Sequence, residues 1–184
     1  MTTAKGKIYP EIRRLGKSDC DAVVRHFCRL DKEMRRLRFG NAVNDAFLTH
    51  YANAIFESVS IVYGAWVENE LRGVAEIRGL PANWTSKAEA AFSVEREWQD
   101  RGIGNALLQR LIATAQNRGI RQLAMVCLKE NLKMQHLAEK YEAIMQYEVD
   151  HVEGRISDLH PTFGSIYEEF SGEARSFVRA VLTP

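Results

Sequence analysis

Residues 97–112 read EWQDRGIGNALLQRLI, and no other stretch limits the possible folds as tightly. Leu107, Leu108, Leu111, Ile112 and Ala115 recur at helical spacing, which predicts an amphipathic helix. The β-rich run AEAAFSVE precedes it. Gly102 and Gly104 sit at the junction, although a glycine inside a helix costs about 1 kcal/mol relative to alanine. One explanation is a strand-to-helix turn that needs a positive φ. The other is close approach of a ligand. The first N–H groups of a helix lack intrahelical partners and lie at the positive end of its dipole, so removing side chains there admits a phosphate. Arg101 would add a charge-assisted donor. The stretch is not a dinucleotide fingerprint, because Leu107 stands where a third glycine belongs, and no Gly-Lys-Ser/Thr makes it a P-loop. The physical reading is an anion site of the pyrophosphate kind.

Around this junction, helical and strand patterns alternate. Residues 8–15 read as a first strand, with Pro10 tolerated at its start. Ser18 is the expected cap of a helix that places Val23, Val24, Phe27 and Cys28 on one face. The basic stretch Arg25 to Gly40 reads as a solvated helix face followed by a loop. Asn44 caps a second helix, and VSIVYGAWV and LRGVAEIRGL form a hairpin around ENE. PANWTSK is a loop before the strand AEAAFSVE. Asn117 to Gly119 stops the leucine-rich helix. IRQLAMVCL is expected to be a strand buried on both faces, and Asn131 opens a further helix. A closing hairpin is expected around Glu153 and Gly154. This order predicts an α/β fold, with helices layered on a mixed sheet in one domain over residues 1–160. Residues 161–184 read as a helical C-terminal extension whose apolar residues cover the domain or pair two copies as a homodimer.

Composition removes several classes of function. The chain holds 25 basic and 24 acidic residues in 184, with no basic excess of the kind a nucleic-acid binder shows. No apolar run is long enough to span a membrane, and the N-terminus lacks a secretory apolar core. Cys20, Cys28 and Cys127 form no disulfide framework or CxxC motif, which fits a cytoplasmic protein with reduced thiols. Cys127 reads as core. His26 and Cys28 do not share a helix face, and His136, His151 and His160 show no zinc spacing, so no metal is expected. Trp98 beside the loop either packs the turn or shields a ligand.

The hexad Gln99-Asp100-Arg101-Gly102-Ile103-Gly104 fits Gln/Arg-x-x-Gly-x-Gly/Ala. After a strand ending in Val94, it resembles the coenzyme A pyrophosphate loop of the GNAT superfamily of N-acetyltransferases. Asn131, after QLAMVCL, is similar to the family's asparagine at the start of the next helix. The core AEAAFSVEREWQDRGIGNALLQRLIATAQNRGIRQLAMVCLKEN, with MRRLRFGNAV ahead of it, resembles bacterial protein-lysine acetyltransferases. The resemblance implies the GNAT fold, a mostly antiparallel central sheet with two splayed strands flanked by helices.

It further implies acetyl-CoA as acyl donor and a primary amine as acceptor, with a protein lysine slightly favoured over a small molecule. The pantetheine arm would pair with Phe92, Ser93 and Val94, and the pyrophosphate would sit on Asp100, Arg101, Gly102, Ile103, Gly104 and Asn105. Gln99 would close the loop, Asn131 would hydrogen-bond the pantetheine, and Met134 would lie beside the acyl chain or the adenine. Asn131 is equally an N-cap. A protonated amine cannot attack a thioester, so a base is required. The resemblance places that role on Glu89, directly or through water, with Glu76 as the second choice; Glu76 is equally a partner for Arg72 or Arg78. Many GNAT enzymes carry a tyrosine acid where this chain has Ala138, and Tyr141 reads as a packing residue. Ala138 therefore keeps a second reading open, a non-catalytic acyl-CoA-binding regulatory module.

Overall fold

The computed structural model describes residues 9–79 and 87–169. Seven strands form one sheet: β1 (Glu11–Arg14), β2 (Ile61–Val67), β3 (Glu70–Arg78), β4 (Lys87–Val94), β5 (Gln122–Leu128), β6 (Ile144–Tyr147) and β7 (His151–Ile156). Their spatial order is β1-β2-β3-β4-β5-β7-β6. All neighbours are antiparallel except β4 and β5, which run parallel. The β4–β5 ladder covers only Lys87–Glu89 against Gln122–Ala124. Beyond Glu89, β4 has no ladder partner on β5, so the sheet is split there.

Helices α1 (Cys20–Arg29), α2 (Lys32–Phe39) and α3 (Asp45–Glu57) lie on one face of the sheet. Val23, Phe27, Leu48, Ala52 and Ile55 bury against Val62, Leu71 and Val74 there. Helices α4 (Ile103–Asn117) and α5 (Leu132–Glu139) lie on the other face. Ile103, Leu107, Leu108 and Leu111 fill that core with Tyr63, Ile77, Leu123 and Met125. The expected hairpin turns at Glu68 and Asn69, both with positive φ (53° and 62°), as the twist of a two-residue turn requires. Asn44 caps α3 through Phe47 N–H, at 2.9 Å.

Several expectations need correction. Ser18 does not cap α1: a short 3-10 turn, Lys17–Asp19, precedes that helix, and Asp19 bonds back to Gly16 N–H instead. The basic loop is helix α2. Asp31 caps its start through Met34 N–H, and Gly40 ends it with φ 78°. Its arginines are not all solvated. Arg35 donates to the carbonyls of Cys28 and Leu30 at the end of α1, and Arg38 pairs with buried Glu76. β5 is sealed on one face only: Leu123, Met125 and Cys127 are buried, and Val126 on the opposite face is 46% exposed. The last hairpin turns at residues 148–150, not at Glu153 and Gly154, which lie inside β7. A Cβ on Gly154 would stand 3.0 Å from the Ala138 Cβ, so glycine there lets α5 pack tightly on β7.

The stretch 80–86, most of the expected PANWTSK loop, lies outside the described residues, as do residues 1–8 and 170–184. Residues 163–169 are helical and dock on the end of α4. Asn117 donates to Glu169, and Arg118 pairs with the same carboxylate at 2.6 Å.

Candidate active site

The split between β4 and β5 opens into a cavity of about 630 Å³, walled by α2, the end of β4, the start of α4 and the start of α5. Gly102 caps α4 with φ 92° and no side-chain cap. The first main-chain hydrogen bond of the helix runs from Ala106 N–H to Gly102 carbonyl, so the N–H groups before it have no intrahelical acceptor. The two glycines have different reasons. Gly102 needs its positive φ. Gly104 has ordinary helical geometry, and a Cβ there would meet only Leu137 Cδ2, at 3.6 Å. The protein's own packing does not demand glycine at 104, whereas a ligand on the helix N-terminus would.

This difference is measurable in the free protein. Gly104→Ala should be neutral or stabilising by up to about 1 kcal/mol, from helix propensity. Gly102→Ala should be destabilising by about 1 kcal/mol, from the left-handed backbone. Urea unfolding of the two variants gives both values, and equal losses would contradict the distinction.

Phe92, Ser93 and Val94 line the cavity, as do Gln99, Asp100, Gly102, Gly104 and Asn105 of the loop and helix start. Asn131 and Met134 line it from α5. Ile103 and Arg101 do not. Ile103 is buried in the core, so only its main chain can reach a ligand. The Arg101 guanidinium lies over the Trp98 ring, 5.1 Å from its centroid, with Arg72 also over that ring at 5.0 Å. The charge-assisted donor expected from the Arg101 side chain is therefore not directed at the cavity, and Trp98 is a packing residue.

The polar wiring of the loop is explicit. Gln99 Nε2 donates to Val94 carbonyl at 3.0 Å, which ties the loop to the end of β4. Lys133 Nζ reaches Gln99 Oε1 at 2.9 Å and Asp100 Oδ2 at 2.7 Å. Lys140 Nζ and the Tyr141 hydroxyl both donate to Asn105 Oδ1. Burial pushes the Tyr141 phenol up to about 12, and its bond to Asn105 fits a packing role. Asn131 Oδ1 caps α5 through Met134 N–H at 3.2 Å, which leaves its amide donors to serve the cavity.

The carboxylates have distinct surroundings. Glu89 is the last β4 residue paired with β5, at the point where the split begins. It is half-exposed and ion-paired with its cross-strand neighbour Arg78, and it is not among the residues that wall the cavity. Glu76 is fully buried and held by Arg38 and the Tyr51 hydroxyl, not by Arg72 or Arg78. Burial works to raise the Glu95 carboxyl, but hydrogen bonds from His26 and Arg29 outweigh it and hold the group down at about 2.

His26 is fully buried. Burial lowers its pKa below the usual 6.5, and the bond to Glu95 opposes this only in part. The unfolded chain therefore binds a proton that the folded chain resists in the window below about 6.5. Stability rises with pH through that window and is lost as pH falls. The thermal unfolding midpoint should drop between pH ~7.5 and pH ~5.5. An unchanged midpoint would contradict a neutral buried imidazole.

The cavity residues missed in the sequence include Met34, Leu37 and Arg38 of α2, and Lys133 of α5. The signal for α2 was present: Met34 and Leu37 recur at helical spacing between a capping Asp31 and Gly40. Among the described residues, no helix is long and apolar enough to cross a membrane, and no group of three or more His, Cys, Asp or Glu is placed to hold a metal ion.

A split mixed sheet opens here beside a helix N-terminus with glycine at 102 and 104, within an α/β domain. The model of the Acetyltransferase (GNAT) family matches residues 27–142, more than half of the chain, and the chain belongs to that family. No curated protein matches. The GNAT domain of S. lividans PAT, a protein acetyltransferase, shares the fold with TM-score 0.70 and 22% identity, over 79% of this chain and 89% of that one. The putative acetyltransferase yncA from Salmonella typhimurium, solved with acetyl-CoA, has TM-score 0.65 and 16% identity, over 82% and 94%. The paia N-acetyltransferase of Thermoplasma acidophilum, in complex with coenzyme A, has TM-score 0.61 and 14% identity, over 82% and 99%.

Proposed function

We propose that this chain moves an acetyl group from acetyl-CoA to a primary amine, by direct attack of the amine on the thioester. The observation that carries the reading is the meeting, in one cavity, of the split β4 edge and the open N-terminus of α4. An extended pantetheine fits main-chain pairing along residues 92–94. A pyrophosphate fits the N–H groups at the start of α4, with Lys133 and Lys140 adding positive charge at its edge. Bound there, acetyl-CoA supplies the activated acyl group.

Glu89 accepts the amine's proton, directly or through a water. Its half-exposed carboxylate at the mouth of the split is accessible, whereas Glu76 is enclosed by Arg38 and Tyr51. A main-chain N–H at Val94 or beside it steadies the oxyanion. The thiolate is a good enough leaving group to depart without a dedicated acid. This accommodates Ala138, which is buried against Gly154 and puts no hydroxyl into the site.

A protein lysine is the favoured acceptor. The support is the likeness of the core segment to protein-lysine acetyltransferases, and the fold shared with S. lividans PAT. A panel of lysine peptides and small amines, read by mass for acetylated product, tests this. Acetylated peptide in excess supports a protein acceptor, and product from small amines alone overturns it. The non-catalytic reading rests on Ala138, and it predicts cofactor binding without acetylated product from any amine.

A further inference from the structure

We propose that Ser93, His26 and Glu95 form a nucleophilic relay on the cavity wall, which gives this chain an acyl-thioester hydrolase activity beside amine acetylation. The proposal rests on the reading that the cavity holds an acyl thioester.

Ser93 lies near the end of β4 and lines the cavity. Its Oγ is 2.8 Å from His26 Nε2, and His26 Nδ1 is 3.2 Å from Glu95 Oε1. Glu95 is bonded to Arg29 at 2.8 Å and to Arg72 at 3.0 Å, so it is ionised and can only accept. The proton between His26 and Glu95 therefore sits on Nδ1. Nε2 is left as a bare acceptor for the Ser93 hydroxyl. Nucleophile, base and orienting carboxylate are thus in hydrogen-bond reach of one another, the geometry by which such relays are recognised. A histidine that merely filled the core would need a partner, but not one from a residue that lines the cavity. Ser93 meets both conditions.

The chemistry balances with water as the only co-reactant. Ser93 Oγ bonds to the thioester carbonyl carbon while its proton passes to His26 Nε2. The C–S bond breaks and the sulfur takes that proton, leaving a free thiol and an acyl ester on Ser93. Water then attacks the ester and gives its proton to Nε2. The C–Oγ bond breaks, Oγ recovers the proton, and a carboxylic acid leaves. N–H groups of β4 past Glu89, where the ladder to β5 has ended, are the available oxyanion donors.

The test uses the whole chain with acetyl-CoA and no amine. Binding is measured by calorimetry, thiol release by a colorimetric reagent, and the acid-quenched protein by peptide mass. The expected result is thiol release matched by acetate, with an acetyl group on the Ser93 peptide. Ser93→Ala should lower the release by about a hundredfold or more, and Ser93→Cys should accumulate a thioester on the same peptide. Acetyl-CoA binding with no amine-independent release, release unchanged in Ser93→Ala, or acetyl found only elsewhere would each overturn the relay and leave the acetyltransferase reading standing. If Ser93→Ala fails to fold, the location of the acetyl group in the unaltered chain decides. Absence of acetyl-CoA binding overturns both readings.

Discussion

Gly104→Glu should leave the fold intact and weaken acetyl-CoA binding by on the order of a hundredfold or more, a loss of about 3 kcal/mol. The position tolerates a side chain sterically, since a Cβ meets only Leu137 Cδ2 at 3.6 Å. A carboxylate in the first turn of α4 is favourable to the helix, because it faces the positive end of the dipole. Folding should therefore be unharmed. The same carboxylate takes up the N–H groups offered to a pyrophosphate and repels its charge. Stability and affinity move in different directions, so the variant separates a ligand site from a structural turn. Isothermal titration beside a urea melt reads both. Normal affinity in this variant would place the pyrophosphate elsewhere.

The second large effect is at the proposed base. Glu89→Gln keeps the size of the side chain and removes its capacity to take a proton. Amine-dependent turnover should fall by about 10²–10⁴-fold, the usual worth of a positioned general base. Affinity for acetyl-CoA should stay near that of the unaltered chain, because Glu89 does not wall the cavity proposed for the cofactor. The lost pairing with Arg78 is half-exposed and contributes under about 1 kcal/mol to stability. A variant with full turnover would remove Glu89 from the mechanism. Raising pH to favour free amine should partly restore the variant, since less proton removal is then asked of the protein.

The readable part of the fold was local. The strand–loop–helix around residues 87–117 combines a β-rich run, a glycine that must take φ 92° and a leucine stripe, all within reach of one another in the chain. The Asn44 cap and the hairpin at Glu68 and Asn69 were legible for the same reason. Helix α2 was obscured by its charge: residues 32–39, KEMRRLRF, carry three apolar side chains among arginines, and of these Met34 is buried and Phe39 packs on the core. Those arginines read as solvated because their partners, such as Glu76 for Arg38, are far off in sequence. β5 looked buried on both faces because its composition does not reveal which sheet positions the helices cover. The His26 bonds to Ser93 and Glu95 join residues 67 and 69 positions apart, and no spacing rule connects them. Short-range chemistry was therefore visible, and long-range pairing was not. That is why the strand–loop–helix at Gly102 was read from sequence, whereas the α2 wall of the cavity and the His26 network were not.

Acetylation of an amine separates an enzyme from a cavity that merely holds an acyl-CoA. The direct measurement is amine-dependent thiol release from acetyl-CoA, with the acetylated amine identified by mass, across lysine-bearing proteins and small amines. The expected result is acetylated product in step with released thiol for at least one acceptor. Tight acetyl-CoA binding without acetylated product from any amine would contradict it.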